Sequence, residues 1–351
     1  MTEDLLAGWD GEEVLVREDP SGARFLVAIH STALGPAAGG TRMKVYASPD
    51  DARRDAMRLA HSMSRKNAVA GLPLGGGKAV LAVPAIPTGA ARRDLLLRYG
   101  SFIEDVGGRY VTACDMNTSS EDMDVVSEVT AHVFGRTEAA GGSGSSAPAT
   151  ATGVFHGIRA ALGHATGSED LVGRTVAIQG VGAVGSLLAT HLRGAGAEVI
   201  VADADGARAA AVATAVGARA VPAEDLLATT CDVLAPCATG GVLSAATIPT
   251  LGCRVVAGAA NNQLAEDADG ERFAAVGVLY APDFVVNAGG IVHLASLELL
   301  GEDRATLDRR IEGIAATLRE VFLRAERDGT STTRAAIAMA DERIAAGRVP
   351  R

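Results

Sequence analysis

Residues 12–17 (EEVLVR) and 24–30 (RFLVAIH) are short runs rich in apolar and β-branched residues, and the turn-forming DPSGA stands between them. The pair reads as a β-hairpin. LGPAAGGTR follows and reads as a small-residue loop. From about Pro49 the period lengthens. Ala52, Ala56, Leu59, Ala60 and Met63 fall on one face at helical spacing, and Lys66 ends that face. GLPLGGGKAVLAV reads as a glycine-rich loop entering a strand. A helix over about 90–105, a strand at 109–113 and a helix over about 120–131 come next.

The stretch AAGGSGSS (139–146) loses both charge and periodicity, and reads as a linker or hinge. Beyond it strands and helices alternate: TVAIQG (175–180), a helix over VGAVGSLLATHLRG, EVIVAD (198–203), a helix over about 205–216, and shorter elements near 218–221 and 223–228. CDVLAPC, RVVAGAA and VGVLYAPDFVVN supply further strands, and an amphipathic helix runs over about 302–327. This alternation predicts an α/β fold in two domains, the later one a parallel, doubly wound sheet of Rossmann type. The expected division is 1–138 for the first domain, 139–150 for the linker and 151–325 for the dinucleotide domain. A helical tail over 326–351 is expected to return to the first domain.

Composition narrows the function. The chain has 351 residues, 32 Lys and Arg against 42 Asp and Glu, and a net charge of −10. Neither nucleic acid nor an anionic membrane is expected as a partner, since both demand a basic footprint. The longest uncharged stretch, Val233 to Cys253, is broken by Pro236, Pro249 and glycines, so it does not read as a membrane span. The start, MTEDLLAGWDGEE, is acidic and unlike a leader peptide. Cys114, Cys231, Cys237 and Cys253 form no CxxC pair, which points to a reduced, cytoplasmic protein with no zinc or other metal site expected.

Gly180, Gly182 and Gly185, with Ala183 and Val184 among them, match GxGxxG between a predicted strand and a predicted helix. Gly180 makes the tight turn, Gly182 admits the pyrophosphate, and Gly185 lets helix and strand approach. Asp203 ends the next strand. A carboxylate there accepts from both ribose hydroxyls and repels a 2′-phosphate, so NAD is the expected cofactor. In the first half, Lys78 follows three glycines, and Asp115 lies just past a predicted strand. A desolvated lysine has a lowered pKa and serves as a base. The alternatives are a solvated loop lysine and a turn or cap aspartate. GGGK lacks GxxxxGK[ST] spacing and has Ala79 where a magnesium-binding hydroxyl belongs, so it is no phosphate loop.

HSTALGPAAGGTR, MSRKNAVAGLPLGGGKAV, GGRYVTACDMNTSSEDMD, QGVGAVG, VVAGAANNQLA and LYAPDFVVNAGG, in this order over nearly the whole chain, resemble the glutamate/leucine/phenylalanine/valine dehydrogenase family. The resemblance is greatest to its branched-chain and aromatic branch. It implies an N-terminal substrate domain, a C-terminal dinucleotide domain, an active site in the cleft between them, and a homo-oligomer. Lys66, with backbone at Gly39 and Gly40 and with Met63 nearby, would bind the substrate carboxylate. Lys78 would be catalytic, with Asp115 as its acid–base partner. Thr150, Ala238, Ala259, Asn261 and Asn287 would line the cofactor, and Asn262 the substrate. Positions 38, 113, 291 and 294 would shape the side-chain pocket. There Ala113 and Ile291 resemble the valine and leucine enzymes, while Ala38, Asn117 and His293-Leu294 resemble the phenylalanine enzymes.

The implied reaction is reversible oxidative deamination of a hydrophobic L-amino acid to a 2-oxo acid and ammonium. Valine, leucine and isoleucine are the favoured substrates, with phenylalanine as the alternative. A non-catalytic NAD-binding homologue would have no need of Lys66, Lys78 and Asp115. A 2-hydroxy acid dehydrogenase would need a His–carboxylate pair and an Arg clamp, and none is apparent.

Overall fold

The computed structural model describes residues 9–347. Contacts group the chain into two compact units. One runs to Ser145 and includes Leu294–Gly301 and the chain from Ala340 on; the other holds Ser146–His293 and Glu302–Met339. Among the described residues no helix is long and apolar enough to cross a membrane.

The first unit is built on a mixed sheet of β1 (Glu13–Glu18), β2 (Arg24–Ser31), β3 (Ala37–Lys44), β4 (Gly75–Ala82) and β5 (Tyr110–Cys114), in the order β1-β2-β4-β3-β5. The hairpin forms, with Glu13 opposite Ile29 and Glu18 opposite Arg24. β2 also pairs antiparallel with β4, while β3 runs parallel to β4 and β5. Period two explains why β2 is apolar from Phe25 to Ile29. Phe25, Val27 and Ile29 face a core shared with α2 (Gly89–Asp105) and α3 (Ser120–Ser127). Leu26 and Ala28 face Ala52, Ala56 and Ala60 of α1 (Pro49–Val69). A strand covered on both faces has no polar side.

Three readings of the first half change. The supposed loop LGPAAGGTR is largely β3, an interior strand. Gly75, Gly76 and Gly77 of GLPLGGGK lie inside β4. A glycine run reads as a turn, but here it serves close approach. A Cβ on Gly39 would strike the carbonyl of Gly77, and one on Gly76 would strike the Ser64 backbone of α1. Tertiary crowding, absent from local propensity, selects these glycines. Third, α3 ends at Ser127 instead of about 131, because the chain must return to the sheet edge. There Thr112 exchanges backbone hydrogen bonds with His132 and Phe134, at 3.0 and 2.9 Å.

In the second unit, α4 (Ala147–Thr166) leads into β6 (Thr175–Gln179), α5 (Ala183–Gly194), β7 (Glu198–Ala202), α6 (Gly206–Val216) and β8 (Arg219–Ala220). Three strands follow, β9 (Val233–Pro236), β10 (Val255–Val256) and β11 (Leu279–Tyr280), with α7 (Arg272–Val276) ahead of the last. The sheet is wholly parallel, in the order β11-β10-β9-β6-β7-β8. The order reverses at β6, so the turn after β6 opens at the switch point where such sheets bind ligands.

α4 begins at Ala147, inside the stretch 139–150 read as linker, and Glu138–Ala140 form a 3-10 turn. The stretch DFVVN is not strand but the single helical turn α8 (Asp283–Val286), because the Asp283 carboxylate accepts from the amides of Phe284 (2.8 Å) and Gln263 (3.2 Å). α9 (Gly289–Leu294) follows. The chain closes with α10 (Arg304–Asp328), a left-handed Gly329 and α11 (Thr332–Gly347). Within the first unit, Arg343 near the end of α11 donates to the α1 carbonyls of Ala68 and Val69, at 3.2 and 3.0 Å, satisfying groups a helix end leaves open.

Candidate functional site

In the first unit the parallel strands β3, β4 and β5 carry adjacent charged groups. Lys78, in the middle of β4, is 5% exposed. Its Nζ lies 3.0 Å from Oδ2 of Asp115, which follows β5. Arg42 of β3 donates to the same oxygen at 3.1 Å and to Asp55 of α1 at 3.0 Å, and Tyr46 OH donates to Asp55 at 2.7 Å. Arg42, Asp55 and Tyr46 carry no role in the sequence reading. The available signal was a charged residue closing the run AAGGTR, and a carboxylate one helical turn before the buried Leu59.

Burial pulls the Lys78 ammonium below its ordinary pKa. Asp115 opposes that shift, and Arg42 adds to it. Burial by itself would raise the Asp115 carboxyl, but Lys78 and Arg42 outweigh it and hold Asp115 low and ionised. A near-dry lysine is thus kept beside a carboxylate shared with a permanent cation, so the proton balance of the pair is set by three charges rather than two.

Gly39 and Gly40 adjoin this pair. A Cβ on Gly40 would stand 2.8 Å from the Asp115 Cβ, and one on Gly39 would stand 3.5 Å from Met63 Cγ. The Gly39 carbonyl accepts from Tyr110 OH at 2.7 Å, which fixes the backbone here. Lys66 lies partly exposed in the last turn of α1, one turn on from Met63. Ala113 and Leu294 converge on Gly135, whose Cβ would meet a methyl of each at 3.7 Å. The sequence reading passed over Gly135. Asn117 is exposed, its amide donates to the Met43 carbonyl at 3.0 Å, and its backbone is left-handed with φ 59°. The linker is also tied down. Buried Glu298 accepts from the Gly135 amide at 2.9 Å, and from the amide and hydroxyl of Ser143 at 3.0 and 2.6 Å.

In the second unit the glycine turn has the required form. Gly180 is left-handed (φ 90°) and packs against Ala238, 2.6 Å from a Cβ placed on it. A Cβ on Gly185 would strike the Gly180 carbonyl, whereas Gly182 faces open space. Gly182 is also the N-cap of α5, and no side chain caps that helix. Ala183, Val184 and Gly185 form its first turn, where free amides and the helix dipole favour an anion.

Asp203 lies past β7, its carboxylate accepting from the amides of Val181 and Asp205, each at 2.9 Å. The Asp205 amide, more than any other neighbour, holds its pKa low, so the group is anionic. Nearer the other end of the site, Asn287 donates to Asn261 Oδ1 at 2.9 Å and to the carbonyls of Ala259 and Ala260 at 3.2 and 3.3 Å. Its own Oδ1 is buried without a partner. Thr150 Oγ1 would lie 2.8 Å from a Cβ on Gly290, so the start of α4 adjoins the start of α9, which carries Ile291. Asn262 is exposed and left-handed, with φ 51°. An open glycine cradle, an uncapped helix start, an anionic residue past the second strand and an unpartnered buried amide oxygen fit a dinucleotide.

Residues 18–132 match the family model for the Glu/Leu/Phe/Val dehydrogenase dimerisation domain, and residues 141–211 and 206–349 match that for Glutamate/Leucine/Phenylalanine/Valine dehydrogenase. The chain is 44% identical to a leucine dehydrogenase of Geobacillus stearothermophilus over 341 residues, 96% of this chain and 91% of that protein. It is likewise 44% identical to a valine dehydrogenase of Streptomyces coelicolor over 349 residues, 97% and 94% of the two chains. Among solved structures, L-tryptophan dehydrogenase from Nostoc punctiforme superposes with a TM-score of 0.86 at 36% identity, covering 99% of each chain. A hetero-hexameric glutamate dehydrogenase from Thermus thermophilus gives 0.75 at 25% identity, covering 96% of this chain and 88% of that one.

Proposed function

Because the chain belongs to the glutamate/leucine/phenylalanine/valine dehydrogenase family, amino acid dehydrogenases that draw on a nicotinamide nucleotide, we propose that it catalyses NAD-dependent oxidative deamination of a branched-chain aliphatic L-amino acid. The observation that carries this reading is the buried Lys78–Asp115 pair, 3.0 Å apart beside the Gly39-Gly40 backbone. When bound, the nicotinamide supplies the acceptor for hydride from the substrate Cα.

The chain's own residues do the rest. Lys66 pairs with the substrate carboxylate, and Gly39 and Gly40 offer backbone beside it. Loss of hydride leaves an iminium at Cα. Lys78, whose pKa burial lowers, acts in its deprotonated form and takes a proton from the water that attacks that carbon. Asp115 moves the proton to the amine of the resulting carbinolamine, which collapses to the 2-oxo acid and ammonium. The steps run equally in reverse. Asp203 favours NAD over NADP, since a 2′-phosphate would meet a second negative charge. Ala113 and Leu294, which meet at Gly135, supply a side-chain pocket of aliphatic character. The dimerisation-domain match to residues 18–132 supports a homo-oligomer. Four unpaired thiols suit the reducing cytoplasm.

The test follows dinucleotide reduction over a panel of L-amino acids. Valine, leucine or isoleucine should give the highest kcat/KM. A tenfold preference for phenylalanine, about 1.4 kcal/mol in the transition state, would show that Ala38 and its companions govern the pocket. Absence of turnover with every amino acid would overturn the reading.

A further inference from the structure

Away from the charged pair, three residues distant in sequence meet at one edge of the first unit. Asp10 precedes β1, His30 lies near the end of β2, and His61 is on α1. One ligand atom from each lies within 4.8 Å of the others. The His30 and His61 rings are 4.5 Å apart between centroids, and His30 Nε2 is 3.2 Å from Asp10 Oδ1. His30 is held from behind, its Nδ1 lying 2.8 Å from Ser64 Oγ. It sits where the β2–β4 pairing shifts register, so the strand is bent at this residue.

We propose that Asp10, His30 and His61 form a binding site for a divalent transition-metal ion of the zinc, cobalt or nickel class. Two imidazoles and one carboxylate are the donor set such ions take, whereas calcium and magnesium prefer oxygen alone. A tetrahedral ion with bonds of about 2.0–2.1 Å needs donors roughly 3.3 Å apart. The Asp10–His30 edge already has that length, and the half-buried His61 offers a donor within 4.8 Å of both. The hydrogen bond between the Ser64 hydroxyl and Nδ1 fixes the ring with Nε2 towards Asp10, the outer-shell arrangement that orients a ligating imidazole.

Asp10 is 73% exposed at its side chain, which leaves an entry path and room for a water as fourth ligand. The ion would clamp the segment ahead of β1 to β2 and α1.

The only tryptophan of the chain, Trp9, has its ring 6.3 Å from His30 and reports on the site. Untagged full-length protein is titrated with cobalt or nickel while Trp9 emission is followed, then challenged with zinc. The expected result is saturable quenching at micromolar metal, reversed by zinc. Affinity should fall at least about tenfold in His61→Gln and in Asp10→Asn. The second variant alters an exposed residue and tests the site even if the first folds poorly. Quenching that stays linear into the millimolar range, or is the same in Asp10→Asn as in the wild type, overturns the proposal.

Discussion

The two units arrange their candidate sites in opposite ways. In the first, the site consists of side chains: Lys78, Asp115, Arg42 and Asp55 hold one another in a buried chain of charge. In the second, the site is made by the removal of side chains. Gly180, Gly182 and Gly185 leave the backbone bare where β6 turns into α5. Charge that must transfer a proton needs a partner close enough to set its pKa, and burial to make that partner count. A diphosphate needs amides and space. A substitution should therefore fail chemically in the first unit and sterically in the second.

The sharpest break in that contrast comes from Lys78→Ala, which should lower kcat by about 10²–10⁴-fold, the usual worth of acid–base catalysis, while NAD binding measured by calorimetry survives. Near-normal turnover would remove Lys78 from the mechanism. Next, Gly185→Val forces a side chain into the Gly180 carbonyl. Dinucleotide affinity should collapse, and the melting temperature should drop by an amount corresponding to about 1–3 kcal/mol of overpacking. A variant that binds NAD normally would show that the turn can yield.

The charge chain can be probed by pH. Turnover rises as Lys78 loses its proton, so the rising limb of the kcat–pH profile follows its pKa. Asp115 raises that pKa and Arg42 lowers it. Asp115→Asn should thus move the limb of its residual activity to lower pH, and Arg42→Gln should move it to higher pH. Shifts of the same sign in both variants would show that the pair is not set by three charges. The smallest effect belongs to the ribose end. Asp203→Ser should raise the kcat/KM for NADP relative to NAD by about tenfold, near 1.4 kcal/mol, with little change in the pH profile. An unchanged ratio would take cofactor choice away from Asp203.

How much of this was legible beforehand differs between the units for a physical reason. The glycine turn and Asp203 are fixed by neighbours in the chain, since strand, turn, helix and next strand follow directly, and the pattern alone delimits them. Lys78 and Asp115 stood out locally as a lysine after glycines and an acid after a strand, and the family resemblance supplied their pairing. β3 escaped detection because its glycines look like a turn until β4 and α1 are packed against it.

Sequence by itself determined the doubly wound half, the hairpin and the helices over 49–66 and 302–327, and it singled out the candidate reactive groups, all of them periodic or contiguous signals. Only the tertiary structure decided what those groups touch. Arg42 bridges Asp115 and Asp55, residues 60 apart along the chain. Glu298 reaches back to Gly135 and Ser143, and Asp10, His30 and His61 converge from three elements. Such contacts have no period and no fixed spacing. They arise when sheet register and helix packing bring distant residues within a few ångströms, and only there do burial and neighbouring charge set what each residue can do.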